Sequence, residues 1–164
     1  SRDAETTEIY TKRIAQKGEL LTHDSDQAVL TLMKVSDVIE KDFSTVEIDA
    51  PFESLVKVVA ESNRNIFPVL DSRNRFQGYV SLADIRKYMF RPELQKTTFV
   101  YNYMKSAEEY VYEDDKMDVV MKKFEITDAW NLPVVKQDRT YIGFVSKSKI
   151  FSVYRSELKM VSQD

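Results

Sequence analysis

The residue types that most often carry out chemistry are scarce in this chain. It has no cysteine, which excludes disulfides, thiolate zinc sites and a cysteine nucleophile. Its single histidine, His23, stands in a polar stretch, where a solvated side chain is favoured over a metal ligand or a general base. Three glycines spread through 164 residues cannot build a glycine-rich phosphate loop. We therefore expect a protein that is not an enzyme and has no catalytic residues.

One acidic group has the composition of a metal site. Asp114, Asp115 and Asp118 lie close together at the start of a predicted helix. Acidic residues are also favoured at helix N-termini by the helix macrodipole alone. We favour that explanation and expect no metal.

The overall composition narrows the class of protein further. The chain is 43% hydrophobic, enough for a packed core, and its net charge of −3 is made of interspersed acidic and basic residues. Nucleic acid is therefore a disfavoured partner, because the basic field that it requires is missing. No run approaches the roughly 18 apolar residues of a membrane span, and no signal peptide opens the sequence. We expect a soluble chain that could be part of something larger.

An internal duplication dominates the sequence. Residues 35–85 align with residues 100–150 at a constant offset of 65 without a gap, and ten of the 51 paired positions are identical. One phrase recurs almost whole: residues 67–70 and 78–81 return as residues 132–135 and 143–146. The duplication predicts two copies of one structural unit.

Each copy predicts the order strand, helix, strand, strand, helix. In the first copy, alternation predicts a strand over 45–48, and apolar spacing predicts a helix from 52 to about 63, with Asp49 as a candidate cap. Two further strands, 66–70 and 76–80, flank a polar loop and should pair antiparallel. Ser81 can cap the last helix. The second copy repeats this order from 111 to 154, so the fold class is α+β.

The same pattern divides the chain. Residues 1–34 form a leader with predicted helices over 6–17 and from Asp24 onward, and residues 157–164 form a tail. Residues 35–91 and 100–156 are the two repeats, joined by residues 92–99. A unit of about 50 residues has too little core to be stable alone, so the copies should pack about a pseudo-two-fold axis, leaving two equivalent clefts between them.

The duplicated unit resembles the CBS domain, and the chain resembles a tandem CBS pair, or Bateman module, over about 115 residues. The resemblance rests on an apolar residue and Pro-Val ahead of each hairpin, and on glycine, two apolar residues and serine after it. The leader resembles the segment that joins the membrane domain to the CBS pair in bacterial CLC chloride channels and transporters. Residues 9–10, 13–15, 18–21 and the run on to Met33 carry that second resemblance, together with residues 64–68, 84–86 and 89–94.

The resemblance implies a function. The chain would be the regulatory tail of a chloride channel or transporter, on the cytoplasmic side of the membrane. Its partners would be a second copy of itself and the membrane domain of its parent. It would require no cofactor, with ATP, ADP or AMP as a possible ligand. The alternative is an interaction scaffold with no nucleotide sensing, and exposed aromatic residues would suit either function: Tyr88, Phe90, Phe151 and Tyr154.

The resemblance also places the ligand site. The family binds ribose through Ser/Thr-x-x-Asp at the start of the last helix, which Ser81 and Asp84 match, and a carboxylate can accept hydrogen bonds from both ribose hydroxyls. Trp130 could stack on adenine, although it could equally fill the core or a dimer contact, and Asn131 could adopt a left-handed backbone. Ser81 and Asp84 could instead serve only the helix start. The remaining implied site residues are Tyr79, Val80, Ala129 and Pro133.

The second cleft departs from the family pattern. Lys149 stands where the family has its aspartate, and an ammonium group cannot accept hydrogen bonds from ribose. Ile66 replaces the usual glycine, and a β-branched residue resists positive φ. Lys149, with Arg64 nearby, could still attract an anion, although a surface lysine is the commoner outcome.

Overall fold

The computed structural model describes residues 27–162, so the predicted helix over 6–17 and His23 lie outside the described residues. The first repeat contains α1 (Val35–Val38), β1 (Val46–Glu47), α2 (Phe52–Glu61), β2 (Ile66–Leu70), β3 (Phe76–Ser81) and α3 (Leu82–Ile85). The short helix α4 (Pro92–Thr97) and a 3-10 turn (Val100–Asn102) follow. The second repeat contains β4 (Val111–Tyr112), α5 (Met117–Thr127), β5 (Asn131–Val135), β6 (Tyr141–Ser146) and α6 (Lys147–Ser162).

The two repeats build matching three-stranded sheets. In each sheet the first strand runs parallel to the second, and the second pairs antiparallel with the third. Both hairpins carry a register shift at the same place, between Val69 and Leu70 and between Val134 and Val135. The predicted α+β class and the predicted antiparallel hairpins are therefore confirmed.

Helix ends differ from the prediction in three places. Asp49 does not cap α2, because Pro51 occupies the N-cap position and fixes the entry of the chain by its restricted φ. Ser81 stands at the N-cap of α3, but its side chain makes no capping hydrogen bond. The last helix of the second repeat is also longer than expected, since α6 continues to Ser162, whereas α3 has a single turn.

Five isolated backbone bridges define the pseudo-two-fold axis. The bridge between Tyr79 and Lys105 becomes the bridge between Glu40 and Phe144 when each position is shifted by 65. The bridge between Arg75 and Thr140 maps onto itself, so the axis passes beside it. The remaining pair of bridges joins Lys34 to Lys116 and Pro51 to Phe99. The two copies are thus packed symmetrically in space as well as repeated in sequence.

The repeats exchange their leading segments. Val35 and Val38, which precede the first sheet, are buried in the core around the second sheet. Val100, which precedes the second sheet, is buried in the core around the first. The segment just before the first repeat also packs on the second repeat. It is helical over residues 27–32, and its Val29 and Met33 are buried in the second core. Neither core is therefore complete without residues from the other repeat.

A third apolar cluster closes the seam between the two sheets. Its buried members come equally from both repeats, with Leu70 and Phe76 on one side and Val135 and Phe144 on the other. Phe76 meets Phe144 edge to face, with ring centroids 6.1 Å apart. The expected shared interior therefore exists at this seam, and the clefts lie on either side of it.

Candidate functional site

One of the two symmetry-related clefts is open, and we refer to it as cleft A. It has a volume of about 240 Å³ and lies where β3 of the first repeat faces the loop before β5 of the second. Backbone and side chains of both repeats form its walls, as expected for a site at the seam. The lining residues are Ile66, Tyr79, Ala107, Glu108, Asp128, Ala129, Trp130, Asn131, Leu132, Pro133 and Phe144.

The structure brings together five of the eight residues implied as a ligand site. Tyr79 lines cleft A from β3, while four residues from the start of β5 and the loop before it line the opposite wall. Val80 does not line the cleft. Its side chain is fully buried in the first core, and its backbone pairs with Phe67 in the sheet. Ser81, which ends β3, and Asp84, in α3, are not among the residues that line the cleft. The four residues of the opposite wall are Ala129, Trp130, Asn131 and Pro133.

Trp130 stands at the mouth of cleft A. Its side chain is 72% exposed, so the alternative in which it fills the core is wrong. The Lys147 ammonium lies 5.1 Å from the centre of its ring, within the range of a cation–π contact. An exposed indole at the edge of an open cleft can stack on a flat ring that enters it.

The left-handed backbone of this wall lies three residues earlier than expected. Asp128, which ends α5, has φ of 55°, whereas Asn131 is the first residue of β5 and has no positive φ. Asp128 takes up that conformation because a short polar side chain tolerates it at a helix end. Ile66 is likewise the first residue of β2, so the expected conflict between a β-branched side chain and positive φ does not arise.

The Asp84 carboxylate is already paired. Its Oδ2 lies 2.6 Å from Nζ of Lys105, a residue that the sequence analysis did not single out. The two side chains are 38% and 52% exposed, so this ion pair lies at the protein surface. The hydrogen bond to Asp84 raises the pKa of Lys105. The offset of 65 relates Lys105 to Glu40, but nothing in the sequence alone indicates that Lys105 would meet Asp84.

Gly78 allows the segment around Lys105 to come this close. A Cβ at position 78 would lie 2.5 Å from the carbonyl oxygen of Lys105, closer than real contacts allow. Next to it, the amides of Tyr79 and Lys105 each donate to the other's carbonyl, at 2.9 and 2.8 Å. Gly143 plays the same part against the Glu40 carbonyl. The glycine of each repeat is therefore required for close backbone approach.

In the other cleft, cleft B, the Arg64 side chain reaches Phe43 and Asp42, which correspond to the lining residues Glu108 and Ala107 of cleft A. Its guanidinium lies 4.2 Å from the centre of the Phe43 ring and donates to Glu40 and Asp42. Burial lowers the pKa of Arg64, but the hydrogen bonds to Asp42 and Glu40 outweigh it and leave the pKa raised. The charge of Arg64 is thus neutralised by two carboxylates. Arg64 is therefore not available to help Lys149 attract an anion, as the sequence analysis had considered.

In cleft B the serine caps a helix, and the lysine side chain is exposed to solvent. The Ser146 hydroxyl accepts a hydrogen bond from the Lys149 amide at 3.0 Å, which caps the start of α6, and it donates to Glu40 at 3.4 Å. Lys149 itself is exposed. The serine of cleft A differs, since the Ser81 hydroxyl makes no such cap.

Two other ionisable side chains, Asp115 and Tyr141, lie away from cleft A. Asp115 accepts hydrogen bonds from the Tyr112 amide and the Lys123 ammonium, at 2.9 and 2.8 Å, so its carboxylate is engaged within the protein. The Tyr141 hydroxyl is buried with no hydrogen-bond partner near cleft B, and burial raises the pKa of this phenol. Neither group lies in cleft A.

Of the helices within residues 27–162, none combines the length and apolar character needed to cross a bilayer.

Comparison with known proteins identifies the architecture. The model of the CBS domain family matches residues 35–91 and again residues 100–156. Protein MJ1004 of Methanocaldococcus jannaschii, an uncharacterized protein, is 28% identical over 115 residues, which cover 69% of this chain and 52% of MJ1004. The chain thus spans about half the length of that relative. The crystal structure of MJ1004 superposes with a TM-score of 0.63 at 25% identity, covering 74% of this chain and 58% of the other.

Two solved structures with bound nucleotides share the fold. CbpB in complex with c-di-AMP superposes with a TM-score of 0.68 at 17% identity, covering 84% of this chain and 95% of that one. The CBS domain of the bacterial CNNM/CorC family Mg²⁺ transporter in complex with ATP has a TM-score of 0.67 at 17% identity, with the same coverage. The repeated sheets, the exchanged leading segments and the two family matches together show that this chain belongs to the CBS domain family.

Proposed function

We propose that the chain is a regulatory module that binds an adenine nucleotide in cleft A. The observation that carries this proposal is the difference between the clefts: cleft B holds its own arginine, whereas cleft A is open. An exposed indole for the base lines that opening, and a carboxylate for the ribose hydroxyls and an uncapped serine hydroxyl follow the lining residue Tyr79 along the chain. These groups are Trp130, Asp84 and Ser81.

Two structural relatives support the choice of ligand class. CbpB binds c-di-AMP, and the CNNM/CorC CBS domain binds ATP, so this fold accommodates adenine nucleotides in other proteins. At 17% identity these likenesses establish the fold alone, and the residues of cleft A must supply the rest of the argument. Binding regulates a partner only if the ligand prefers one arrangement of the repeats over another.

The proposal includes the parent protein suggested by the leader. The chain would be the cytoplasmic tail of a CLC chloride channel or transporter, acting on the membrane domain of the same polypeptide and pairing with a second copy of itself. It would carry out no enzymatic reaction. Phe90 and Phe151, 84% and 59% exposed, suit a contact with another subunit, whereas Tyr88 and Tyr154 pack partly against the cores.

A thermal melt with and without nucleotide tests the binding. A ligand at a hundred times its dissociation constant adds about 2.7 kcal/mol of stability, which raises the Tm of a chain of this size by roughly 5–10 °C. We expect AMP, ADP, ATP or c-di-AMP to produce such a shift. Asp84→Ala should abolish it, and Lys149→Ala, the matched change in cleft B, should leave it intact.

The melt also separates the two functions. If no nucleotide shifts the Tm at millimolar concentration, nucleotide sensing is refuted and the interaction scaffold takes its place. Light scattering of the purified chain then measures whether it dimerises. The parentage has its own test: the gene should continue upstream into hydrophobic membrane spans, and a reading frame without them would contradict the CLC assignment.

A further inference from the structure

The ion pair between Lys105 and Asp84 must change when a ligand uses both oxygens of the Asp84 carboxylate, because Oδ2 is buried and lies 2.6 Å from the Lys105 ammonium. Lys105 cannot withdraw as a whole, because its backbone is bonded on both sides to Tyr79 and its carbonyl rests against Gly78. Its half-exposed side chain is the part that can move. A ribose diol that takes over both Asp84 oxygens therefore releases one ammonium group next to Tyr79, which lines cleft A.

The rest of cleft A carries negative charge. Glu108 and Asp128 line it, and among the described residues no lysine or arginine does. The Lys147 ammonium lies outside, over the Trp130 ring. Lys105 is thus the cation placed to meet an anionic group attached to a ribose that is held by Asp84.

We infer that cleft A selects a nucleoside monophosphate, with Lys105 as the residue that recognises its phosphate. This inference rests on the proposed nucleotide binding and specifies how many phosphate groups the preferred nucleotide carries. One released ammonium matches one phosphate, and the uncapped Ser81 hydroxyl can donate to the same group. Each further phosphate adds negative charge near Glu108 and Asp128 without a further cation to offset it.

The inference sets an order of affinities. AMP should bind on the order of tenfold more tightly than adenosine and tenfold more tightly than ATP in the absence of magnesium, which corresponds to about 1.4 kcal/mol for each difference. Lys105→Gln should remove the advantage of AMP over adenosine. Adenosine itself should bind the variant as tightly as the wild type or more tightly, because Asp84 no longer has to be released from an ion pair.

Isothermal titration calorimetry of the 164-residue chain with adenosine, AMP, ADP and ATP, in buffer containing EDTA, measures these affinities. Lys149→Gln is the matched control, since it removes a lysine from cleft B and should leave every affinity unchanged. A merely structural role for Lys105 predicts that Lys105→Gln weakens adenosine and AMP equally, which would overturn the inference.

Two further outcomes distinguish the inference from the proposal on which it rests. If adenosine and AMP bind equally, or ATP binds at least as tightly as AMP, the monophosphate selection is refuted while nucleotide binding stands. If none of the four ligands binds, both are refuted.

Discussion

Clefts A and B are built on equivalent backbone segments but differ in their side chains. Cleft A has Ala129 and Ala107 where cleft B has Arg64 and Asp42, so one is open and the other holds an arginine between carboxylates. The charges at the edge are also reversed, because Lys105 and Asp84 of cleft A correspond to Glu40 and Lys149 around cleft B. Their equivalence follows from the offset of 65 in the sequence and from the paired bridges.

The difference shows what a duplicated scaffold permits. The sheets, the glycines and the exchanged leading segments are needed twice, because each core is completed by the other repeat. The side chains in the clefts are free of that constraint. One cleft can therefore be filled to hold the repeats together, while the other is kept for a ligand.

The largest expected effect comes from the two glycines that the clefts share. Gly78→Ala and Gly143→Ala should each lower the free energy of unfolding by about 2–3 kcal/mol, because the new methyl group collides with a backbone carbonyl that cannot move freely. Urea denaturation measures both. The comparison predicts similar losses for the two variants, with nucleotide affinity reduced in Gly78→Ala alone, and a neutral result for either would contradict the close approach.

Cleft A can be converted to resemble cleft B by a single change. Ala129→Arg places an arginine at the position of Arg64, where Glu108 is available as a partner, and should weaken nucleotide binding on the order of 30-fold, about 2 kcal/mol. Calorimetry measures the loss. Ala129→Ser is the control, since its small side chain leaves the cleft open, and unimpaired binding by Ala129→Arg would show that the ligand lies elsewhere.

The converse change empties cleft B. Arg64→Ala removes the guanidinium from the Phe43 ring and from Glu40, and should cost about 1 kcal/mol of stability without affecting nucleotide affinity at cleft A. Arg64→Lys keeps the charge but loses the planar contact with the Phe43 ring, so its stability should lie between those of the wild type and Arg64→Ala. A change in nucleotide affinity on emptying cleft B would refute the independence of the clefts.

Much of the fold could be predicted from the sequence because its signals are local. Alternation predicted β1, helical spacing predicted the buried faces of α2 and α5, and the polar loop between two apolar runs predicted the hairpin of β2 and β3. The wall of cleft A around Trp130 and Asn131 was implied by the resemblance to the CBS family, and these residues line the cleft.

The rest depends on contacts between distant positions. Lys105 meets Asp84, and Arg64 meets Glu40, across segments that pass from one repeat to the other, and no periodicity encodes such a meeting. The left-handed residue was misplaced for a related reason: it depends on where α5 ends, and helix ends are set by backbone packing as well as by residue type. The exchange of leading segments is a property of the assembled pair.

Tyr141 offers the smallest and most specific test of the comparison. Its counterpart in the first repeat is Phe76, so one repeat buries a hydroxyl group with no partner where the other buries none. Tyr141→Phe should therefore stabilise the protein by roughly 0.5 kcal/mol at neutral pH, and Phe76→Tyr should destabilise it. Urea denaturation of both variants measures the two effects.

The gain from Tyr141→Phe should grow in alkali. Burial raises the pKa of Tyr141 above its ordinary value of 10.0, so above pH 10 the unfolded chain loses this proton while the folded chain keeps it. The wild type then loses stability as the pH rises, and the variant lacks that contribution. A stability difference between the two that stays constant from pH 8 to roughly pH 11 would show that the hydroxyl reaches solvent, and would remove this distinction between the repeats.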